Sequence, residues 1–252
     1  MAEYIDQKGV RFWYEEHGSG LPLLLLHPGG AGADSRAFGQ NLNALAKNFH
    51  VFLVDRRGHG YTADTEGEIT FELMTDDTIN FIEQVIGKET KLLGYSDGAI
   101  VALMTAQKRP DLVERLVCVA GVSNRNGWYE GVLEEETPEF MMDSYAKISP
   151  DGKGHFPIIV KKLEIMHSKG PNLVRGDLQQ INTRTLVMLG DDDQVKFEHT
   201  IDFYRSLPNG ELAIVPGTSH GLLPEKPDLC NKIIIDFLSL DAIQTFAPIR
   251  RA

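Results

Sequence analysis

Cysteine is scarce in this chain. Two occur in 252 residues, Cys118 and Cys230, far apart and without C-x-x-C spacing. That excludes a disulfide framework and a thiolate metal site, and Cys118, inside the apolar run LVCVAGV, reads as a buried free thiol. No apolar run approaches the ~20 residues that a bilayer-spanning helix needs. The start MAEYIDQKGV carries neither a charged n-region nor an apolar h-region, so no secretory signal is visible. Positive charge is also in short supply: 25 Lys and Arg stand against 36 Asp and Glu, for a net −11. A nucleic-acid partner or an anionic membrane surface would need a basic face, and none is offered. Internal repeats and low-complexity tracts are missing too. These absences point to a soluble, cytoplasmic protein.

What is there is apolar content for a large core, 42% of residues, distributed in a rhythm. Short apolar runs at 11–17, 22–27, 50–55, 91–95, 115–121, 184–189 and 211–215 read as strands, most of them apolar on both faces. Helical spacing is expected near 35–47, 71–86, 97–108, 197–206 and 227–239. Strand and helix in alternation predict an α/β fold, a mostly parallel sheet with helices on both faces. From about Ser123 to Asn182 no strand is evident. Thr137-Pro138-Glu139 reads there as an N-cap, a first-turn proline and a first-turn acid. SPDGKGHF reads as a turn or loop, and IIVKKLEIMHSK as a further helix. The expected division is a core of 1–122 and 183–252, with 123–182 as a helical lid. The tail FAPIRRA is expected at the surface.

The stretch GYSDG, residues 94–98, lies between the strand KLLGY and the helix DGAIVALMTAQK. G-x-S-x-G at a strand-to-helix turn puts a serine on a strained corner with its hydroxyl above the sheet. Gly94 and Gly98 remove side chains that would collide where strand and helix approach. The helix N-terminus offers free N–H groups to a developing oxyanion. A structural turn that happens to carry serine is the plainer alternative.

A serine hydroxyl needs a base. Of eight histidines, His155, His167 and His199 lie in or beside polar helical stretches and read as solvated. His17 is in an early turn, His50 starts a strand and His59 lies in the loop DRRGHG. His220 follows the strand ELAIV in the loop PGTSHG, at the strand end where open α/β sheets build their sites. The strand RTLVML ends in GDDDQV, and one of Asp191, Asp192 and Asp193 would face that loop and hold the imidazole. A calcium loop fails here, because the required glycine offset and ligand spacing are missing. Ser, Asp and His in that chain order, all at strand ends, point to a serine hydrolase.

On LLLLHPGG, VDRRGHG, LLGYSDGA, LVMLGDDDQV and IVPGTSHG, the chain resembles the α/β-hydrolase-fold proteins over nearly its whole length. The GYSDG turn is most similar to the valacyclovir hydrolase (biphenyl hydrolase-like) group, with no comparable likeness in 123–182. The resemblance selects Asp193 as the acid beside Ser96 and His220. It implies an oxyanion hole built from the Gly29 amide, with Gly30 as fallback because Pro28 has no N–H, and from the Asp97 amide. It also implies that His27 is structural and that Arg56, Arg57 and His59 shape a loop. No cofactor and no metal are implied.

The Asp97 carboxylate has two readings. It is a helix-start acid worth about 0.3–1 kcal/mol against the dipole, or it attracts a substrate amine or orders a loop. Trp128, Tyr129, Phe140, Met141, Met142 and Tyr145 in the lid fit packing and pocket equally. The expected activity is hydrolysis of a small-molecule carboxylic ester through an acyl-enzyme. Amidase or aminopeptidase, lactonase and C–C bond hydrolase chemistry on the same residues are the rivals, together with a non-hydrolytic ligand-binding protein on this fold.

Overall fold

Residues 2–135 and 137–249 are described by the computed structural model. Its strands are β1 (Ala2–Gln7), β2 (Val10–Gly18), β3 (Pro22–Leu26), β4 (His50–Val54), β5 (Thr90–Tyr95), β6 (Val113–Val119), β7 (Arg184–Asp192) and β8 (Gly210–Ser219). They form one eight-stranded sheet in the order β1-β2-β4-β3-β5-β6-β7-β8. β1 and β2 run antiparallel to their neighbours, and from β4 onward every pairing is parallel. The helices are α1 (Gly39–Ala46), α2 (Phe71–Phe81), α3 (Asp97–Lys108), α4 (Glu139–Ile148), α5 (Phe156–Lys169), α6 (Arg175–Leu178), α7 (Phe197–Ser206), α8 (Leu222–Glu225) and α9 (Pro227–Ser239).

Burial on both sides explains the apolar runs. In β3, PLLLL is buried throughout. Leu24 and Leu26 join a core cluster with Phe71 and Met74 of α2 and Ile100 and Leu103 of α3. Leu23 and Leu25 join a second cluster with Leu45 of α1 and Ile234 and Phe237 of α9. Successive side chains leave a strand on opposite faces, so one strand feeds both layers. β3 lies between β4 and β5, the point at which chain order reverses across the sheet. Ligands of open α/β sheets bind beyond the strand ends at such a point.

Three local differences from the sequence-based expectation have physical causes. β1 was not anticipated: it is an edge strand whose side chains are mostly exposed, so it shows little apolar signal. The helix expected at 71–86 is α-helical only to Phe81; Ile82–Ile86 widens to a π turn that stops at Gly87, which has φ 68°. The helix expected at 35–47 opens as a 3-10 turn, Ser35–Phe38, capped by the Asp34 carboxylate.

Between β6 and β7, residues 123–182 add no strand to the sheet among the described residues, and they carry α4, α5 and α6. α4 begins one residue later than Thr137 capping implies: Pro138, at ψ 143°, occupies the cap position and Glu139 is the first helical residue. SPDGKGHF is a turn with a short 3-10 stretch, Lys153–His155, running into α5. The start of the segment meets the stretch that follows α5. Asn124 bridges Asn172, the Leu173 N–H donates to the Ser123 carbonyl at 3.0 Å, and the Arg125 N–H donates to the Pro171 carbonyl at 2.9 Å. Residues 241–249 are exposed, and Arg250–Ala252 of the expected tail lie outside the described residues. Among the described residues no helix is long and apolar enough to cross a membrane.

Candidate active site

Ser96 joins β5 to α3 at φ 54°, ψ −118°, a left-handed corner that side chains avoid unless the surroundings enforce it. Enforcement comes from both sides. The Ser96 N–H donates to the Val119 carbonyl of β6 at 2.8 Å, and its own carbonyl accepts from the Ala99 N–H at 2.9 Å. A Cβ on Gly98 would come within 2.0 Å of the Leu26 carbonyl oxygen, and one on Gly94 within 2.2 Å of the Gly98 carbonyl oxygen. Only glycine fits either position, so α3 packs directly on β3 and β5 and lifts Ser96 above the strand ends.

His220 follows β8 and turns its Nε2 to the Ser96 Oγ at 3.0 Å, while its Nδ1 faces the Asp193 Oδ1 at 2.8 Å. The Asp193 side chain has no solvent exposure and accepts N–H bonds from Val195 at 3.1 Å and Gly190 at 3.3 Å. Its neighbours are placed otherwise: Asp192 is exposed, and Asp191, also exposed, accepts the Thr218 N–H at 3.0 Å. The three acids are therefore separated by burial, a distinction that residue type alone does not carry. The His220 backbone is tethered by the Tyr95 hydroxyl, which donates to its carbonyl at 2.7 Å. Trp128 sets its ring edge-on to the imidazole at 5.5 Å. Residues 127–129 reach this position by running along the Asp193 loop, with Trp128 bridged to Val195 and the Tyr129 N–H donating to the Gln194 carbonyl at 3.1 Å.

The turn after β3 lies opposite Ser96. Gly29 rests on the side chain of Asp97 so closely that a Cβ would fall 1.8 Å from Oδ2. Arg56 holds this turn from behind, donating to the carbonyls of His27 at 2.7 Å and Pro28 at 3.0 Å. His27 is fully buried and accepts the Arg56 N–H at 3.1 Å; burial, with Arg56 beside it, pushes its pKa well down and keeps it neutral. His59 is buried beside it, pushed down to about 4 mainly by burial. Arg57 forks onto Asp77 through Nε at 2.7 Å and Nη2 at 2.8 Å. These contacts shape a loop, as the sequence implies.

Three histidines are not solvated in the way their polar helices suggest. His155 faces Asp64 at 2.8 Å. His199 accepts the Ser123 N–H at 3.1 Å, and burial pushes its pKa down to about 4. His167, in α5, places Nε2 at 3.0 Å from both oxygens of Asp97. Burial opposes charge on each of these two, yet their attraction prevails: Asp97 is held below the usual carboxylate range and His167 above the usual histidine range. His167 is the site residue that the sequence reading missed. The available signal was its register: it stands four residues after Leu163 and seven after Val160, on the inward face of α5.

A cavity of about 460 Å³ opens over Ser96 and His220, lined also by Trp128, Phe140, Met141 and His167. Of the lid side chains singled out above, Tyr145 is instead buried core, Met142 packs against that core, and Tyr129 is exposed. Among the described residues no group of three or more His, Cys, Asp or Glu is placed to hold a metal ion.

Comparison with known proteins agrees with this architecture. The chain is 27% identical over 249 residues to the human "Serine hydrolase BPHL", covering 91% of this chain and 84% of that one. It is 25% identical to the "Putative carbamate hydrolase RutD" of Agrobacterium fabrum, covering 92% of this chain and 99% of that one. The crystal structure of a serine hydrolase involved in carbazole degradation (CarC) superposes with a TM-score of 0.80 at 22% identity, over 96% of this chain and 99% of that one. Residues 22–158, more than half of the chain, match the family described as alpha/beta hydrolase fold. With the sheet order and the β5–α3 corner already in place, the chain belongs to the alpha/beta hydrolase fold family.

Proposed function

We propose that this protein is a serine hydrolase that cleaves a small-molecule carboxylic ester through an acyl-enzyme. One observation carries the reading: the Ser96 Oγ lies 3.0 Å from His220 Nε2, while Nδ1 of the same ring lies 2.8 Å from a buried carboxylate. Ser96 attacks the ester carbonyl as His220 takes its proton, and Asp193 holds the tautomer and stabilises the imidazolium. The oxyanion is received by the backbone N–H groups of Asp97, at the start of α3, and Gly29. The intermediate collapses, the alcohol leaves with the proton from His220, and water attacks the acyl-enzyme with the same base. The names of the human and mouse relatives, both serine hydrolases, support the reaction class. Two buried free thiols and a net charge of −11 support a cytoplasmic site of action without nucleic acid or membrane.

The test is hydrolysis of p-nitrophenyl butyrate, together with labelling by a fluorophosphonate. Ser96→Ala and His220→Ala should each lower kcat/KM by about 10³-fold or more with the fold intact by circular dichroism. Turnover that survives Ser96→Ala would sink the reading. A relative from Metapseudomonas resinovorans is named as a 2-hydroxy-6-oxo-6-(2'-aminophenyl)hexa-2,4-dienoic acid hydrolase, which makes C–C bond cleavage the second substrate class to assay.

A further inference from the structure

The Asp97 carboxylate, next to the nucleophile, is the negative group best placed to receive a cationic portion of a substrate, yet it is already occupied. Its side chain is only 3% exposed, enclosed by Gly29 on one side and by the His167 imidazole on another. His167 Nε2 bridges both carboxylate oxygens at 3.0 Å. Burial opposes charge on the ring, but the Asp97 carboxylate at this distance holds His167 above the usual histidine range, towards the imidazolium form. Its side chain is 17% exposed, and it is a wall of the cavity over Ser96. The group shown to a ligand here is therefore the cation, with the carboxylate behind it.

The other groups around the pair act unequally on its two members. Arg56, from the loop after β4, favours the ionised form of Asp97 but opposes charge on His167, and the buried His59 of the same loop also interacts with Asp97. The Phe71 ring of α2 meets His167 edge-on at 5.8 Å. Arg125, Glu134, Glu135 and Glu164 share the adjoining cavity with His167, and no bond from any of them to its ring is formed. An ammonium brought to Asp97 would have to displace His167 or lie against it, and like charges at such separations repel.

We propose that His167 is the resident cation of this subsite and a specificity-determining residue: it neutralises Asp97 and so admits uncharged ester portions while rejecting ammonium-bearing ones. The inference rests on the ester-hydrolase reading and names the substrate class of that same site.

The experiment compares choline butyrate with its uncharged isostere 3,3-dimethylbutyl butyrate, which differ in charge but hardly in shape. In the wild type kcat/KM should favour the neutral ester by about tenfold or more. In His167→Gln, which retains an N–H donor for the carboxylate, the neutral-to-cationic ratio should fall by about tenfold. Asp97→Asn added to His167→Gln should restore it. In the wild type the ratio should also fall as pH rises through the titration of His167. A merely structural His167 would lower both esters in proportion, leaving the ratio unchanged, and that result overturns the proposal. If His167→Gln does not fold, the pH dependence of the wild-type ratio decides. If the wild type cleaves neither ester, the hydrolase reading fails separately, and tetramethylammonium binding decides the charge question. Binding to His167→Gln but not to the wild type supports the inference, and equal binding refutes it.

Discussion

The Asp193 carboxylate is held by two backbone N–H groups and one imidazole with no solvent around it, whereas Asp192, one residue away, is exposed. That contrast gives an unambiguous test of which acid serves His220. Asp193→Asn keeps the shape but offers Nδ1 a donor where it needs an acceptor, so kcat/KM for p-nitrophenyl butyrate should fall by about 10²–10⁴-fold. Asp192→Asn should change it by less than about twofold, as surface substitutions generally do. The reverse pattern would transfer the role to Asp192. Residue identity pointed to Ser96 and His220 because each sits at a strand end in an apolar context that sequence displays. Asp97–His167 was not legible, because 70 residues separate the pair and only the folded chain brings α5 over α3.

At the scale of elements, α7 meets the start of the 123–182 segment through a histidine that must stay neutral. His199 accepts the Ser123 N–H, and burial pushes its pKa down to about 4. In the unfolded chain the same group titrates near ~6.5. Between these values the unfolded state binds a proton that the native state does not, so stability falls as pH drops from about 6.5 towards about 4. His59, also pushed to about 4, acts in the same direction. The Asp97–His167 pair behaves oppositely at each end. The depressed Asp97 contributes stability that is present above ~3.8 and is lost as pH falls through its folded value. The elevated His167 contributes stability that is present below ~6.5 and is lost as pH rises through its folded value. His199→Gln retains an acceptor for Ser123 without the titration. Urea unfolding at pH 7 and pH 5 should show the acid loss reduced by about 2 kcal/mol relative to the wild type. An unchanged difference would mean that His199 is protonated in the native protein.

Across the whole molecule, the strands from β3 to β7 were legible because double-sided burial writes itself as nearly unbroken apolar runs, of which PLLLL in β3 is the plainest. β1 was hidden because an edge strand with mostly exposed side chains leaves no such trace, and the π turn after α2 because its spacing continues a helical pattern. Leu25, at 0% exposure in the second core cluster, tests the central strand itself. Leu25→Ala should cost about 2–5 kcal/mol and lower Tm by roughly 10 °C in a chain of this size. Activity at 25 °C should persist, since the strand ends carry the chemistry. Thermal unfolding beside a p-nitrophenyl butyrate assay checks both outcomes.

The contacts that join Ser123–Arg125 to Pro171–Leu173 carry a consequence for how such a protein diversifies. Because Ser123–Arg125 and Pro171–Leu173 are stitched to each other, residues 126–170 leave and rejoin the chain at a single doorway. Everything beyond that doorway could be exchanged by recombination as a cassette, provided that the graft keeps residues 127–129, which brace the Asp193 loop. The residues over the Ser96–His220 cavity could then change while the strand ends beneath stay as they are.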